Sequence, residues 1–290
     1  MKRLIIIGNG FDLHHGLKTS LASFKNYVSS NHPDIFEIFE RLFINIPLNN
    51  NTPHSISENP SQQYWNQLES SLGLIDWNDF DEDSNDNTSE YNHDVGMTEI
   101  LTNIYADNLI DITRIIRPWI EGIEIPSNTK ITLPFNISDL FINFNYTETL
   151  ELSESINKEN ILYIHGSRRG PSKLIFGHDN PPEPPKSKHD LIECESPYNR
   201  FLEETYKPVS KIIPTLINWL SEHEPIDKII VLGHSMGKPD QCYFKAISEK
   251  YPNASWKSSF HTNADLRNIS LMAKNLNLKI DLIKNIEFFN

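Results

Sequence analysis

A chain of 290 residues with 38% hydrophobic and 10% aromatic content can bury a sizeable core and is not a disordered segment. Its formal net charge of -13 argues against a broad basic surface for duplex nucleic acid, because such binding relies on Lys and Arg releasing counterions from phosphates. No apolar run is long enough to span a bilayer, Met1-Lys2-Arg3 carries no cleavable-signal pattern, and Cys194 and Cys242 fit no metal or redox spacing, so a cytoplasmic protein without disulfides or membrane contact is expected.

The apolar run Leu4 to Ile7 reads as a buried strand. It breaks into Gly8-Asn9-Gly10-Phe11-Asp12, where two glycines allow a tight turn and close approach of a ligand, and the following helix start would turn its amides toward an anion. The turn departs from the dinucleotide fingerprint, since Leu13 stands where a third glycine belongs and Gly16 arrives late. A nucleotide site and a ligand-free strand-to-helix turn both fit these glycines.

Helical spacing covers Leu17 to Ser29 and Ile35 to Phe43, with a break at Asn31-His32-Pro33. Pro47 to Pro60 reads as a loop, and Tyr64 to Leu74 as a helix with Trp65, Leu68 and Leu72 on one stripe. Within the acidic stretch Asp76 to Asp94, the run Asp81, Asp83 and Asn85 fails as a calcium loop because Asp86 replaces glycine and Asn92 replaces glutamate. A further amphipathic helix runs from Met97 to about Ile116 and stops near Pro118. Residues from about 17 to 125 therefore read as a mainly helical insertion after the first strand.

Short apolar runs follow at Asp139-Phe144, Ile161-Ile164, Leu174-Phe176, Lys228-Leu232, Ser255-Phe260 and Leu278-Leu282, and Asn180 to Lys188 is proline-rich. Strands alternating with helices indicate one α/β domain over 1-290, built on a doubly wound, mainly parallel sheet.

Three polar clusters end strand-like runs, where open α/β sheets place their ligands. They are Asn143-Phe144-Asn145-Tyr146-Thr147-Glu148, Tyr163-Ile164-His165-Gly166 and Gly233-His234-Ser235-Met236-Gly237. With the first turn they make four loops around one crevice. His165, followed by a glycine that keeps space beside it, is the candidate base, since imidazole titrates near about 6.5. Asn145 can orient a ribose hydroxyl or a water by donating and accepting together; a turn-forming asparagine bonded to its own backbone fits equally.

Gly233-His234-Ser235-Met236-Gly237 also matches the serine-hydrolase elbow, with Ser235 as nucleophile and His261 as the only downstream histidine. The acid is the difficulty, because Asp240 and Glu249 lie close to the elbow. Of the remaining polar residues, His14, His15, His178, Asp179, Arg168 and Arg169 are weaker candidates, the two arginines as phosphate contacts. No metal motif is present, and no metal is expected.

At these residues the chain resembles the AbiH family of bacterial abortive-infection proteins. The resemblance rests on Ile6-Ile7-Gly8-Asn9-Gly10-Phe11-Asp12-Leu13, Gly16-Leu17 with Thr19 and Phe24, Asn143-Phe144-Asn145-Tyr146-Thr147 with Leu150-Glu151, Tyr163-Ile164-His165-Gly166, Phe176-Gly177-His178, and Gly233-His234-Ser235 with Asp240. That family is in turn similar to sirtuin-like NAD-consuming domains, which implies a Rossmann-like sheet. The resemblance assigns the pyrophosphate to Gly8 and Gly10, the nicotinamide-side ribose and water to Asn145, the base to His165, and the adenosine ribose to Gly233 and Ser235. Asn9, Asp12, Asn143, Tyr146 and His234 complete the expected nucleotide-binding set. Asn9 stands where a small residue is usual, Thr147 stands where an aspartate is frequent, and zinc-binding cysteines are missing, which sets protein deacetylation aside.

The expectation is thus a phage-defence effector that hydrolyses the N-glycosidic bond of NAD or a related nucleotide. A nucleotide-binding sensor using the same crevice is the second reading, a serine hydrolase the third and a nuclease the fourth. Trp65, Trp77 and Trp119 read first as core rings, and second as contacts for a homo-oligomer or a phage-derived trigger.

Overall fold

A computed structural model describes residues 2-45, 68-72, 95-126, 133-178, 197-223 and 225-284. Six strands form one all-parallel sheet: β1 (Arg3–Ile7), β2 (Leu140–Asn143), β3 (Ile161–Tyr163), β4 (Lys228–Leu232), β5 (Ser255–Phe260) and β6 (Ile280–Lys284), in the order β3-β2-β1-β4-β5-β6. The helices are α1 (Asn9–His14), α2 (Leu21–Asn31), α3 (Pro33–Asn45), α4 (Leu68–Leu72), α5 (Val95–Glu121), α6 (Thr149–Ser153), α7 (Pro197–Thr205), α8 (Val209–Ser221), α9 (Gln241–Lys250) and α10 (Asn263–Asn275).

The chain divides into two compact units. One comprises Met1–Ser20, Ile120–Ile175 and Pro208–Asn290, and holds the whole sheet; the other comprises Leu21–Trp119 and Phe176–Lys207. The second unit thus draws on two stretches of chain, one on either side of β2 and β3. There Trp119 is buried against Phe24, with ring centroids 4.8 Å apart. Trp65, Trp77, Cys194, Asp179, the loop 47-60, the acidic stretch 76-94 and the proline-rich run 180-188 lie outside the described residues.

β1 sits at the centre because it can be covered on both faces. Leu4 and Ile6 join Leu140, Ile142, Ile229 and Val231 in a core closed by Ile212, Leu216 and Leu220 of α8, Tyr243, Phe244 and Ile247 of α9, and Ile269 and Met272 of α10. Ile5 and Ile7 face the other way, with Phe141, Ile230 and Leu232, against Phe11 of α1 and Leu150 of α6. Alternation along one strand therefore feeds two cores, the signature of a doubly wound sheet. Ile7 lies opposite both Asn143 and Leu232, and Asn143 opposite Tyr163, so the loops after β1, β2, β3 and β4 leave the sheet at one level. Strand order reverses between β1 and β4, the switch point at which such sheets form a ligand crevice.

Three expectations change in detail. Leu174-Phe176 is not a strand: the Ile175 amide donates to the His165 carbonyl (2.9 Å) and its carbonyl accepts from the Tyr146 hydroxyl (2.8 Å), so this backbone serves the loops after β3 and β2. Its apolar residues mimic a strand because Leu174 is buried, with its side chain beside Gly166 of the loop after β3. The last strand begins at Ile280, two residues later than expected, because Leu278 still donates to Ala273 (2.8 Å) to close α10. Helix α5 continues past Pro118 to Glu121. A proline this close to a C-terminus removes one backbone donor without breaking the remaining turn, and Arg168 takes up carbonyls there, donating from Nη1 to Ile120 (2.7 Å) and Ile123 (2.5 Å). Among the described residues, no helix is long and apolar enough to cross a membrane.

Candidate functional site

The site is built at the carboxyl end of the sheet, from described residues of the unit that contains it. The loops after β1 and β4 pack backbone to backbone. Gly8 donates to the Leu232 carbonyl (3.0 Å), Gly10 to the Gly233 carbonyl (2.8 Å), and Phe11 back to the Gly8 carbonyl (2.9 Å). A Cβ on Gly8 would lie 2.6 Å from His234 Cα, and one on Gly233 would lie 2.3 Å from the Phe11 nitrogen. Gly233 is also left-handed, at φ 64. These glycines are required by the close approach of the two loops, and three amides of the first turn are committed to carbonyls.

The loop after β2 braces this junction. Asn143 Oδ1 accepts from the Asn145 amide (2.9 Å) and its Nδ2 donates to the Thr147 carbonyl (3.3 Å), so the side chain shapes its own turn. Asn145 Nδ2 donates to the Gly8 carbonyl (3.1 Å), tying the second loop to the first. Asn9, exposed at the turn, donates from Nδ2 to the Thr19 carbonyl (3.0 Å), and Tyr146 is half-buried with its hydroxyl on Ile175.

Asp12 lies beneath the turn, 1% exposed, where its Oδ2 accepts from Thr147 Oγ1 (2.5 Å), which itself receives a bond from Thr149 Oγ1 (3.1 Å). Burial pushes its carboxyl up to about 6, against the hydrogen bonds of Thr147, Thr149 and Asn145 and the charge of His15. His15 is buried beside it, with Nδ1 2.8 Å from the Phe11 carbonyl and Nε2 3.0 Å from Glu154 Oε1. Burial would lower its protonation, but Glu154, the Phe11 carbonyl and Asp12 outweigh that and leave it raised. His14 is lowered, by burial and then by the charge of His15. The aspartate expected at the nucleotide is thus part of an interior network.

The loops after β3 and β4 bring two imidazoles to one carboxylate. His165 Nε2 stands 3.9 Å from Asp240 Oδ1, and His234 Nε2 stands 3.4 Å from Asp240 Oδ2. Both histidines are buried, at 4% and 7% exposure. Phe144 meets them edge-on, with centroids 5.4 Å from His165 and 4.5 Å from His234, and Tyr243 packs 5.7 Å from His165. The surroundings of the two imidazoles are therefore aromatic, with one carboxylate set between them. Sequence reasoning named His165 and His234 but gave Phe144 no role, passed over Tyr243, and weighed Asp240 as a hydrolase acid. The spacing of Tyr243 three residues after Asp240, at the start of an amphipathic helix, is the signal that could have found it.

Ser235 is exposed on its loop. The left-handed residues there are Gly233 and Met236, which flank it, and Asp240 faces His165 and His234. The backbone amide of His261 bonds to Asp265 at the start of α10. No triad is assembled around Ser235 by these contacts. Arg168 is buried and pairs with Glu148 (Nε to Oε2, 2.8 Å) besides its carbonyls at the end of α5, so it pins loops together instead of waiting for phosphate. Arg169 is exposed, 3.7 Å from Glu148. His178 belongs to the other unit, buried and paired through its backbone with Tyr206 and Lys207. Among the described residues, no group of three His, Cys, Asp or Glu side chains is disposed to hold a metal ion.

In comparisons with known proteins, the family model for bacteriophage abortive infection AbiH matches residues 4-260. No curated protein and no solved structure matches the chain.

Proposed function

Since the chain belongs to the AbiH family and so has a role in phage abortive infection, we propose that it performs this role by hydrolysing the N-glycosidic bond of NAD or a related nucleotide. The observation that carries the reading is the buried His165 imidazole at the end of β3, with a carboxylate facing one nitrogen and aromatic rings around it. Cleavage of such a bond builds positive charge on the ribose and needs a water deprotonated in place. His165 accepts that proton, and Asp240 offsets the charge that results. Asn145, whose Nδ2 is held by the Gly8 carbonyl, offers its amide oxygen to a ribose hydroxyl or to the water. Phe144 and Tyr243 keep bulk water from the reacting centre and strengthen the electrostatics inside it.

The test is NAD consumption and nicotinamide release by the purified chain beside His165→Ala, with and without lysate of phage-infected cells. Loss of a histidine base is expected to cost about 10²- to 10⁴-fold in rate. Turnover that persists in the variant would contradict the role of His165. Binding of NAD without turnover in either protein would point to a nucleotide sensor, and absence of both would remove NAD as the ligand.

A further inference from the structure

We propose that Asp240 is the positioning carboxylate for His165, and that His234 is spent on holding Asp240 instead of touching the ligand. The inference rests on the reading of His165 as the proton acceptor and adds the atoms through which it works.

Asp240 ends a single 3-10 turn, Lys238–Asp240, and immediately precedes α9. From that position an aspartate ordinarily accepts from the first amides of the helix. Asp240 makes no such bond. The same chain shows the ordinary arrangement at α10, where Thr262 accepts from the Asp265 amide (3.1 Å) and Asp265 from the Thr262 amide (2.8 Å). Asp240 has its two oxygens turned to two imidazoles instead.

The hydrogen-bond pattern fixes what His234 does. Its Nδ1 accepts from the Met236 amide at 2.9 Å. A nitrogen that accepts carries no hydrogen, so the neutral ring bears it on Nε2, which stands 3.4 Å from Asp240 Oδ2 and interacts with it through charge. One nitrogen is thereby bonded and the other stands beside the carboxylate, and Phe144 and Phe244 pack against the ring in T-shaped contacts. Met236, which supplies the amide, is fully buried and left-handed at φ 52, a state that a non-glycine residue holds only when its surroundings enforce it.

Asp240 Oδ1 faces His165 Nε2, a nitrogen buried from solvent. At 3.9 Å the two interact through charge and not through a direct hydrogen bond. The carboxylate favours the tautomer with hydrogen on Nε2, which assigns proton acceptance to Nδ1. In the proposed reaction an O–H bond of water breaks and an Nδ1–H bond forms; the oxygen lone pair adds to the anomeric carbon while the glycosidic electron pair leaves with the base. The imidazolium so formed lies against Asp240. Among the described residues, the titratable groups shown facing His165 are Asp240 and Tyr243, the uncharged Phe144 faces it from the loop after β2, and those shown facing Asp240 are His165 and His234.

The experiment is ¹⁵N-histidine NMR of the full chain from about pH 5 to about pH 9, with His165 assigned through His165→Gln, in wild type and Asp240→Asn, beside NAD turnover. The His165 protonation midpoint is expected to fall by about one pH unit in Asp240→Asn, a tenfold loss of proton affinity. The expected kinetic effect is about tenfold on kcat with KM held within about twofold. An unmoved midpoint overturns the proposal. A moved midpoint without NAD turnover in any protein keeps the positioning role and refutes the glycohydrolase reading; turnover abolished by His165→Ala but indifferent to Asp240→Asn, with no shift in midpoint, does the reverse. If Asp240→Asn does not fold, His234→Asn, which leaves the carboxylate without its holder, is read instead: a smaller fall supports the proposal and none overturns it.

Discussion

Gly233 carries two separate constraints, a left-handed backbone and a neighbour so close that an added Cβ would lie 2.3 Å from the Phe11 nitrogen, whereas an added Cβ at Gly16, with φ 81, would meet nothing within 4 Å. The pair separates strain from collision. Gly16→Ala should cost about 1 kcal/mol from backbone strain alone, and Gly233→Ala at least about 2 kcal/mol more, since backbone cannot yield as a side chain does. Urea unfolding of both variants checks this, and equal losses would show that the loops after β1 and β4 part freely. At this scale the sequence was legible where one residue type has few uses. The glycines announced a tight turn and a close approach, and the polar residues that end the apolar runs announced the loops that follow the strands. The partner of the close approach was not legible, because Gly10 and Gly233 meet only after the chain has crossed the sheet, and the same holds for Asp240, whose position before a helix favours an ordinary cap.

Helix α5 ends where Arg168 donates to the Ile120 and Ile123 carbonyls and pairs with the buried Glu148. One guanidinium thus closes a helix, neutralises an acid and fixes the stretch following His165. Truncating one member of such a buried pair leaves the other charge uncompensated. Arg168→Ala is expected to lose about 3-5 kcal/mol in urea unfolding, and Arg168→Lys less, as one compact ammonium replaces a fork of donors. A loss under about 1 kcal/mol would place the contact among weak exposed pairs. The strands were readable because Leu4 to Ile7, Phe141 to Ile142 and Ile229 to Leu232 are apolar without interruption, as strands covered on both faces must be. Leu174-Phe176 misled for the same reason, since burial beneath a loop and burial in a sheet leave the same apolar trace. Pro118 misled because a proline near a helix end costs less than one in its middle.

At the scale of the molecule, stability depends on the interior charges beside β1. Asp12 is raised to about 6, by burial first, so the folded chain binds that proton more tightly than the unfolded chain, and its contribution is complete below the ordinary carboxylate range and lost as pH rises through about 6. His15 is raised too, so its contribution is complete below the ordinary histidine range and lost as pH rises through its higher folded value. Both terms weaken the fold in the same direction. Asp12→Asn should flatten the decline between about pH 4 and pH 6 and raise stability at neutral pH by about 1-3 kcal/mol, the second amide hydrogen offsetting part of the gain. Thermal melts across that range check it; a wild-type slope in the variant would mean that Asp12 is not the titrating group. The doubly wound parallel sheet followed from alternating strands and helices, whereas its strand order and the two-stretch composition of the second unit did not, because apolar runs carry no record of which strand pairs with which and nothing in residues 176-207 marks them as belonging with α2 to α5.

The seam between the loops after β1 and β4 makes the protein its own competitor. The Gly233 carbonyl occupies the Gly10 amide as an acceptor from outside would. Any phosphate that took this amide would have to evict an internal guest, and its apparent affinity would fall by the fraction of molecules in which that guest is in place. The same bond that lets the turn persist without ligand therefore raises the ligand concentration at which the turn fills, while the shape of the binding curve stays that of a single site.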